Sequence, residues 1–295
     1  MKTILIIGIT GFLGRNLAKL LWEKYRNTYE IIGTGLSPNK IALFKSMRRS
    51  WLATEADIPC ICIDIVHDRD KLEYIFRNRK INYVIHAAAL KYVDIAEKDP
   101  SKCVDTNIIG TMNVIHLANK YNVDNLIALS TDKANRPINT YGMSKYLMQQ
   151  ITLQSQYSVY QGVNFFWSDG SVVDLWYRQI KKNTDLCITD PNQERFYSEI
   201  GTTSSDIIDN IDIKRSVILP TQMFKIKLSD LHNSMIKYFN YDSMKKYSIG
   251  CRDNEKQIEL LNEHQSNTHI IATYNEEQIM ELLERTMNNV EISCI

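Results

Sequence analysis

Residues 3–14 constrain this chain more than any other segment. An aliphatic run over 3–7 ends directly in Gly8-Ile9-Thr10-Gly11-Phe12-Leu13-Gly14, and an amphipathic stretch follows to residue 25. The run reads as a strand and the stretch as a helix. A glycine trio in a loop is common and says little alone. Placed between a first strand and a first helix, it allows a tight turn, close approach of backbone to a pyrophosphate, and a helix seated tightly on a sheet. The unpaired N–H groups at such a helix start face the phosphates.

The same alternation continues. Strands are expected at 30–33, 60–64, 83–86, 125–129 and 158–166, and helices at 38–50, 69–79, from Asp99-Pro100 towards 121, and at 141–154. Strands alternating with helices specify an α/β architecture, here a Rossmann-like doubly wound parallel sheet over residues 1–166. Beyond 166 the order loosens. Helices are expected at 171–182, 228–239 and 275–287, with a lone strand at 216–219. Residues 167–295 are therefore expected to form a smaller mixed α/β lobe that binds substrate, with some segments returning to the main domain.

Composition narrows the function. With 35 basic and 34 acidic residues the net charge is +1, which lacks the cationic excess that nucleic-acid binding uses. The longest apolar run, residues 4–9, is far below the ~20 residues of a membrane helix, and Arg15 follows the glycine turn, unlike a secretory leader. A cytoplasmic protein without membrane contact is expected. The six cysteines, at 60, 62, 103, 187, 251 and 294, form no C-x-x-C pair, and the six histidines form no H-E-x-x-H. No metal site is expected, and Cys60 and Cys62 read as small core residues of a buried strand.

The end of the second strand distinguishes NAD from NADP, because an acid there bonds the ribose 2′-hydroxyl. Residues 33–40, Gly-Thr-Gly-Leu-Ser-Pro-Asn-Lys, hold no acid. NADP is expected rather than NAD; Ser37 and Lys40 either meet its 2′-phosphate or form an ordinary polar turn. Asp64 either faces the adenine or caps the next helix. Tyr141-Gly142-Met143-Ser144-Lys145 places Tyr141 and Lys145 on one helix face. A lysine ammonium beside a phenol lowers its pKa, so that tyrosine can act as a base near neutrality.

Three further blocks carry a resemblance. Ser130-Thr131-Asp132-Lys133-Ala134 follows the fifth strand, Pro137-Ile138-Asn139 leads into Tyr141, and His86-Ala87-Ala88-Ala89-Leu90-Lys91 closes the fourth strand, with Thr106-Asn107 in the next helix. With the glycine turn and the Tyr-x-x-x-Lys pair, these resemble the extended short-chain dehydrogenase/reductases. Within them they resemble the inverting UDP-N-acetylglucosamine 4,6-dehydratases, which also epimerise C5 and serve polysaccharide biosynthesis. Retaining sugar-nucleotide dehydratases carry Thr-Asp-Glu where this chain has Thr131-Asp132-Lys133.

The resemblance implies a mechanism and a set of residues. Tyr141, with Lys145, takes the O4 proton, Thr131 orients the sugar, Asp132 protonates the leaving C6 hydroxyl, and Lys133 removes the C5 proton. The cofactor would be held by Gly8, Thr10, Gly11, Phe12, Leu13, Gly14, Ser37, Lys40, Asp64, Ile65, Ala87 and Ala88, together with Tyr141 and Lys145. The substrate, UDP-N-acetylglucosamine or a related UDP-sugar, would meet Lys91, Thr131, Asn164, Arg195, Arg252 and Glu255.

Resemblance is weaker in the C-terminal lobe. Asn164 with Ser168-Asp169-Gly170-Ser171-Val172 resembles a family G-N-V…G-S-R-G-S-V stretch, but Asp169 replaces the arginine. Arg195-Phe196 resembles R-F-W, and residues 250–256 resemble G-x-R-P-G-E-K with Asp253-Asn254 in place of Pro-Gly. Each of these is either a ligand contact or a surface residue. Extended relatives pair through two helices, here around 98–121 and 141–156, so a homo-oligomer is expected. The competing readings are a retaining dehydratase or 4-epimerase on a UDP-sugar, and a catalytically silent NADP-binding module. The Asp132-Lys133 pair and the Tyr141–Lys145 pair argue against them.

Overall fold

The computed structural model describes residues 1–51, 58–241, 247–248, 256, 259–261 and 271–289. In chain order the elements are β1 (Lys2–Ile7), α1 (Phe12–Tyr25), β2 (Tyr29–Gly35), α2 (Pro38–Trp51), β3 (Cys60–Cys62), α3 (Arg69–Asn78), β4 (Tyr83–His86), α4 (Val93–Lys98), α5 (Pro100–Val104), α6 (Gly110–Lys120), β5 (Asn125–Thr131) and α7 (Thr140–Gln154). There follow β6 (Ser158–Gly162), β7 (Asn164–Phe165), α8 (Val172–Lys181), β8 (Cys187–Ile188), β9 (Glu194–Ser198), α9 (Ile200–Asp209), β10 (Val217–Ile218), β11 (Phe224–Lys227), α10 (Leu228–Tyr238), β12 (Tyr247–Ser248) and α11 (Glu276–Asn289).

Seven strands form one sheet in the order β10-β6-β5-β4-β1-β2-β3, and every neighbouring pair is parallel. The chain winds outward from β1 in both directions, so the order reverses between β1 and β4. Crevices at such a reversal, outside the carboxyl ends of the strands, are where doubly wound sheets bind ligands. β1 has no alternation because Ile4, Leu5, Ile6 and Ile7 are all fully buried between helical layers. Leu5, Ile7, Ile32, Val84, Leu126 and Ala128 form one core with Leu72 and Ile75 of α3 and Val114 of α6. Burial of each Leu, Ile or Val among them contributes about 1.5–3 kcal/mol.

The chain divides into two compact units: Met1–Gly162 with Ile200–Thr221, and Val163–Glu199 with the residues from 222 onward. The boundary expected from the sequence lies at 166. The division falls at 162/163, because the expected single strand 158–166 breaks at Val163: Ser158–Gly162 joins the large sheet and Asn164–Phe165 pairs with β9. The expected lone strand at 216–219 is not alone, since Val217–Ile218 pairs with β6 as an edge of that sheet. Buried Asp206 of α9 accepts from the Tyr160 hydroxyl and from the backbone and hydroxyl of Thr221, anchoring the returning segment. The expected helix 99–121 is interrupted by one π turn at Asp105–Ile109, after which α6 resumes.

Cys60 is only partly buried and Cys62 is exposed, because β3 is the sheet's other edge and one flank meets solvent. In the second unit, β7, β9 and β11 form a three-stranded sheet, and β8 pairs with β12. Its core gathers Phe166, Trp167, Trp176, Leu231, Ile279 and Leu283.

Candidate active site

The glycine turn links the end of β1 to α1 as expected. Gly8 has φ +88°, and a Cβ there would lie 2.8 Å from the Ala88 backbone nitrogen. Only glycine fits, because the loop leaving β4 through Ala87 and Ala88 presses against the turn at the point where the strand order reverses. Gly11 donates its N–H to the Gly8 carbonyl at 3.0 Å, closing the turn. α1 starts at Phe12 with no side-chain cap and no acid in its first turn. Its first N–H groups therefore point outward with the positive end of the helix dipole, which is an anion cradle.

The other cofactor candidates are placed less uniformly. Thr10 packs where a Gly35 side chain would be, 2.8 Å from its Cγ2. Ser37 accepts from the Lys40 backbone N–H at 3.4 Å, capping α2, while Lys40 is exposed. Asp64 accepts from the N–H groups of Val66 and His67, so it shapes the turn leaving β3. Ile65 is buried and lies against Gly110. Asp64 was the expected cap of the next helix, but the N-cap position of α3 is Asp68, four residues on, and Asp64 holds the turn before it; Ser37 lies in the polar turn expected as its alternative.

At the end of β5 the chain tightens into a single 3-10 turn, Asp132–Ala134. The Thr131 hydroxyl donates to Asp132 Oδ1 at 2.8 Å and accepts from the Lys133 N–H at 3.3 Å. Lys133 Nζ donates to the same Oδ1 at 3.2 Å. Asp132 is fully buried, and its second oxygen, Oδ2, has no hydrogen-bond partner. α7 begins three residues after Pro137, capped by Asn139, whose side chain accepts from the Gly142 N–H at 2.8 Å. Its first turn carries Tyr141 against this same group.

Burial pushes the Tyr141 phenol up to about 12. Against that, the Lys133 charge and a hydrogen bond with Thr131 draw it down, while Asp132 raises it. Burial also pulls Lys145 down to about 7. The sequence reading gave the task of lowering the phenol to Lys145; the charge that acts on it is that of Lys133. The reason is desolvation: a lysine 4% exposed cannot hold its proton as a surface lysine does.

Sequence spacing did not reveal the supports behind these groups. Asn107, in the π turn, accepts from the Leu90 N–H at 2.8 Å and donates to the Leu90 carbonyl at 3.0 Å and to Ser144 Oγ at 2.9 Å. It ties the loop after β4 to α7. The Thr111 hydroxyl donates to the Asn107 carbonyl, so it accepts from His86 Nε2 at 2.9 Å. The partners are 17, 25 and 37 residues apart, beyond any local periodicity. Lys91 is exposed, with its ammonium 5.3 Å from the Tyr92 ring centroid.

Asn164 and Arg195 lie in the second unit. Asn164 donates to the Phe196 carbonyl at 2.9 Å, and Arg195 donates to the carbonyls of Glu194 and Lys256. Arg252 and Glu255 lie outside the described residues. Among the described residues, no group of three His, Cys, Asp or Glu could hold a metal ion, and no helix is long and apolar enough to cross a membrane.

A parallel sheet reversing at a glycine turn, with a Tyr-x-x-x-Lys helix beside the end of β5, defines an extended short-chain dehydrogenase/reductase. The chain belongs to the polysaccharide biosynthesis protein family, which it matches over residues 4–282. It is 31% identical to a UDP-N-acetylglucosamine 4,6-dehydratase (inverting) of Campylobacter jejuni, over 88% of this chain and 77% of that protein. Pen from Bacillus thuringiensis is 25% identical and superposes with a TM-score of 0.85, covering 96% of this chain and 98% of that one. The fold is also that of a dTDP-glucose 4,6-dehydratase from Bacillus anthracis in complex with NAD, with a TM-score of 0.78, 18% identity, and coverage of 99% and 98%.

Proposed function

We propose that this protein is a UDP-N-acetylglucosamine 4,6-dehydratase that inverts C5, giving a 4-keto-6-deoxy sugar nucleotide for rare amino-sugar synthesis. One observation carries the reading: a buried Asp132 with one oxygen held by Thr131 and Lys133 and the other bare, on the turn beside Tyr141. An epimerase needs no acid for a leaving hydroxyl, and a silent binding module needs neither group. The uncapped start of α1, and Gly8 against Ala88, fit a nicotinamide dinucleotide. Such a cofactor supplies the site that accepts the C4 hydrogen as hydride and later returns it to C6.

The chain's own residues do the rest. Tyr141 takes the O4 proton, with Lys133 the cation that favours the phenolate. The resulting ketone acidifies the C5 proton; Lys133 passes its ammonium proton to Asp132 across their 3.2 Å hydrogen bond and, now neutral, removes the C5 proton. Asp132 delivers a proton to the C6 hydroxyl, which leaves as water, with Thr131 fixing the carboxyl through its 2.8 Å hydrogen bond. Protonation of C5 from the opposite face gives inversion. A lysine in this place both accepts the proton and, once charged, stabilises the enolate, whereas a glutamate could only accept the proton.

The finer assignments belong to the same proposal. NADP is favoured by the acid-free stretch at 33–40, although Ser37 is engaged as a cap. Asn164, Arg195, Arg252 and Glu255 are proposed nucleotide contacts on their motif resemblance. A homo-oligomer in the cytoplasm, a dimer or larger, is proposed through α5, the π turn, α6 and α7, which expose Val104, Ile109, Met112, Met143 and Leu147 at 40–50% each. Replacing Leu147 with Glu should shift the mass measured by light scattering to that of a monomer. Incubation with UDP-N-acetylglucosamine in deuterium oxide, read by NMR, tests the function: a β-L-arabino 4-ketose carrying deuterium at C5 is expected. Recovery of only a C4 epimer would overturn it.

A further inference from the structure

Gly142 does not need a left-handed backbone, since it sits inside the first turn of α7. Its lack of a side chain is nevertheless required. A Cβ there would lie 2.5 Å from the Lys133 carbonyl oxygen, a backbone atom, and 3.2 Å from both Asn139 Oδ1 and Pro137 Cβ. The Asn139 cap also accepts from the Gly142 N–H at 2.8 Å. The 3-10 turn that carries Asp132 and Lys133 is thus pressed directly onto the helix that carries Tyr141.

We infer that Gly142 is a positioning residue that fixes the elimination pair, Asp132 and Lys133, against the oxidation base, Tyr141, so that both steps act on one bound sugar. The inference rests on the dehydratase reading and adds the means by which its two half-reactions are kept in register. Ordinary contact begins near 3.4 Å, so an alanine at 142 must open this junction by about 0.9 Å. The element that yields is the three-residue turn, because α7 is fifteen residues long and packed along its length. Tyr141 stays in place while Asp132 and Lys133 withdraw. Displacements of ~1 Å in reacting groups cost on the order of 100-fold in rate.

The test is Gly142→Ala, assayed with UDP-N-acetylglucosamine. The expected result is a kcat lower by about 100-fold, KM within about twofold, and a build-up of 340 nm absorbance showing that C4 oxidation outruns elimination. A merely structural role would slow both steps together and lower the melting temperature. A folded variant with near-normal kcat, or one with no build-up at 340 nm, overturns the inference. If Gly142→Ala does not fold, Asn139→Ala keeps the glycine but frees its N–H. About tenfold slower elimination with the same build-up supports the inference, and equal slowing of both steps overturns it. If the wild-type protein does not dehydrate the sugar nucleotide, the dehydratase reading falls. The crystal structure of the alanine variant then decides the positioning claim: a Lys133 carbonyl moved by about 0.9 Å supports it, and an unmoved one overturns it.

Discussion

His86 makes the acid stability of this protein calculable. Its ring is fully enclosed at the end of β4, Nε2 donates to Thr111 at 2.9 Å, and Nδ1 is buried without a hydrogen-bond partner. Burial, and then the charge of Lys145, pull its pKa from 6.5 to about 3. The unfolded chain takes up this proton as pH falls through 6.5, while the folded chain does not until about pH 3. Stability is therefore lost continuously as pH falls from 6.5 to 3, at about 1.4 kcal/mol per unit. At pH 4.5, two units into that window, the loss is roughly 3 kcal/mol. His86→Gln keeps an N–H for Thr111 and cannot titrate. Urea unfolding of both proteins at pH 7.5 and 4.5 should show the wild type losing roughly 3 kcal/mol more than the variant. Equal losses would mean that the imidazole is not buried neutral, and the account of the His86–Thr111–Asn107 support would fail.

Other outcomes follow from the same geometry. Tyr141→Phe should keep its melting temperature and lose about 10²–10⁴-fold in turnover, because Tyr141 is the base proposed for O4; near-normal turnover would remove Tyr141 from the chemistry. Lys133→Ala should still oxidise C4, seen at 340 nm, though more slowly because the cation beside Tyr141 is lost, and should yield no C5-deuterated product in deuterium oxide; normal dehydration would reduce Lys133 to a structural ion pair. Gly8→Ala adds left-handed strain of about 1–2 kcal/mol and a clash with the Ala88 nitrogen. It should lower the melting temperature and abolish co-purification of a nicotinamide dinucleotide, and chromatography of the nucleotide released from the wild type decides between NADP and NAD.

The sequence by itself determined whatever is local. A strand buried on both faces carries a continuous apolar run, so Ile4–Ile7 of β1 and Tyr83–Ile85 of β4 were legible, and a glycine turn between strand and helix is a single contiguous signal. The Thr131-Asp132-Lys133 and Tyr141–Lys145 blocks were legible because each lies within one turn or one helix face. Tertiary structure decided what depends on neighbours distant in the chain. Residues 216–219 read as a strand, but nothing local assigned it a sheet; Val217–Ile218 joins the large one because β6, 58 residues earlier, offers it an edge. Cys60 and Cys62 looked like core residues until the strand order put β3 at the margin. Ionisation was decided the same way: residue type sets a starting pKa, but packing removed the water around Lys145 and brought Lys133 to bear on Tyr141. Desolvation and Coulomb interaction depend on distance in space, and sequence separation does not encode it.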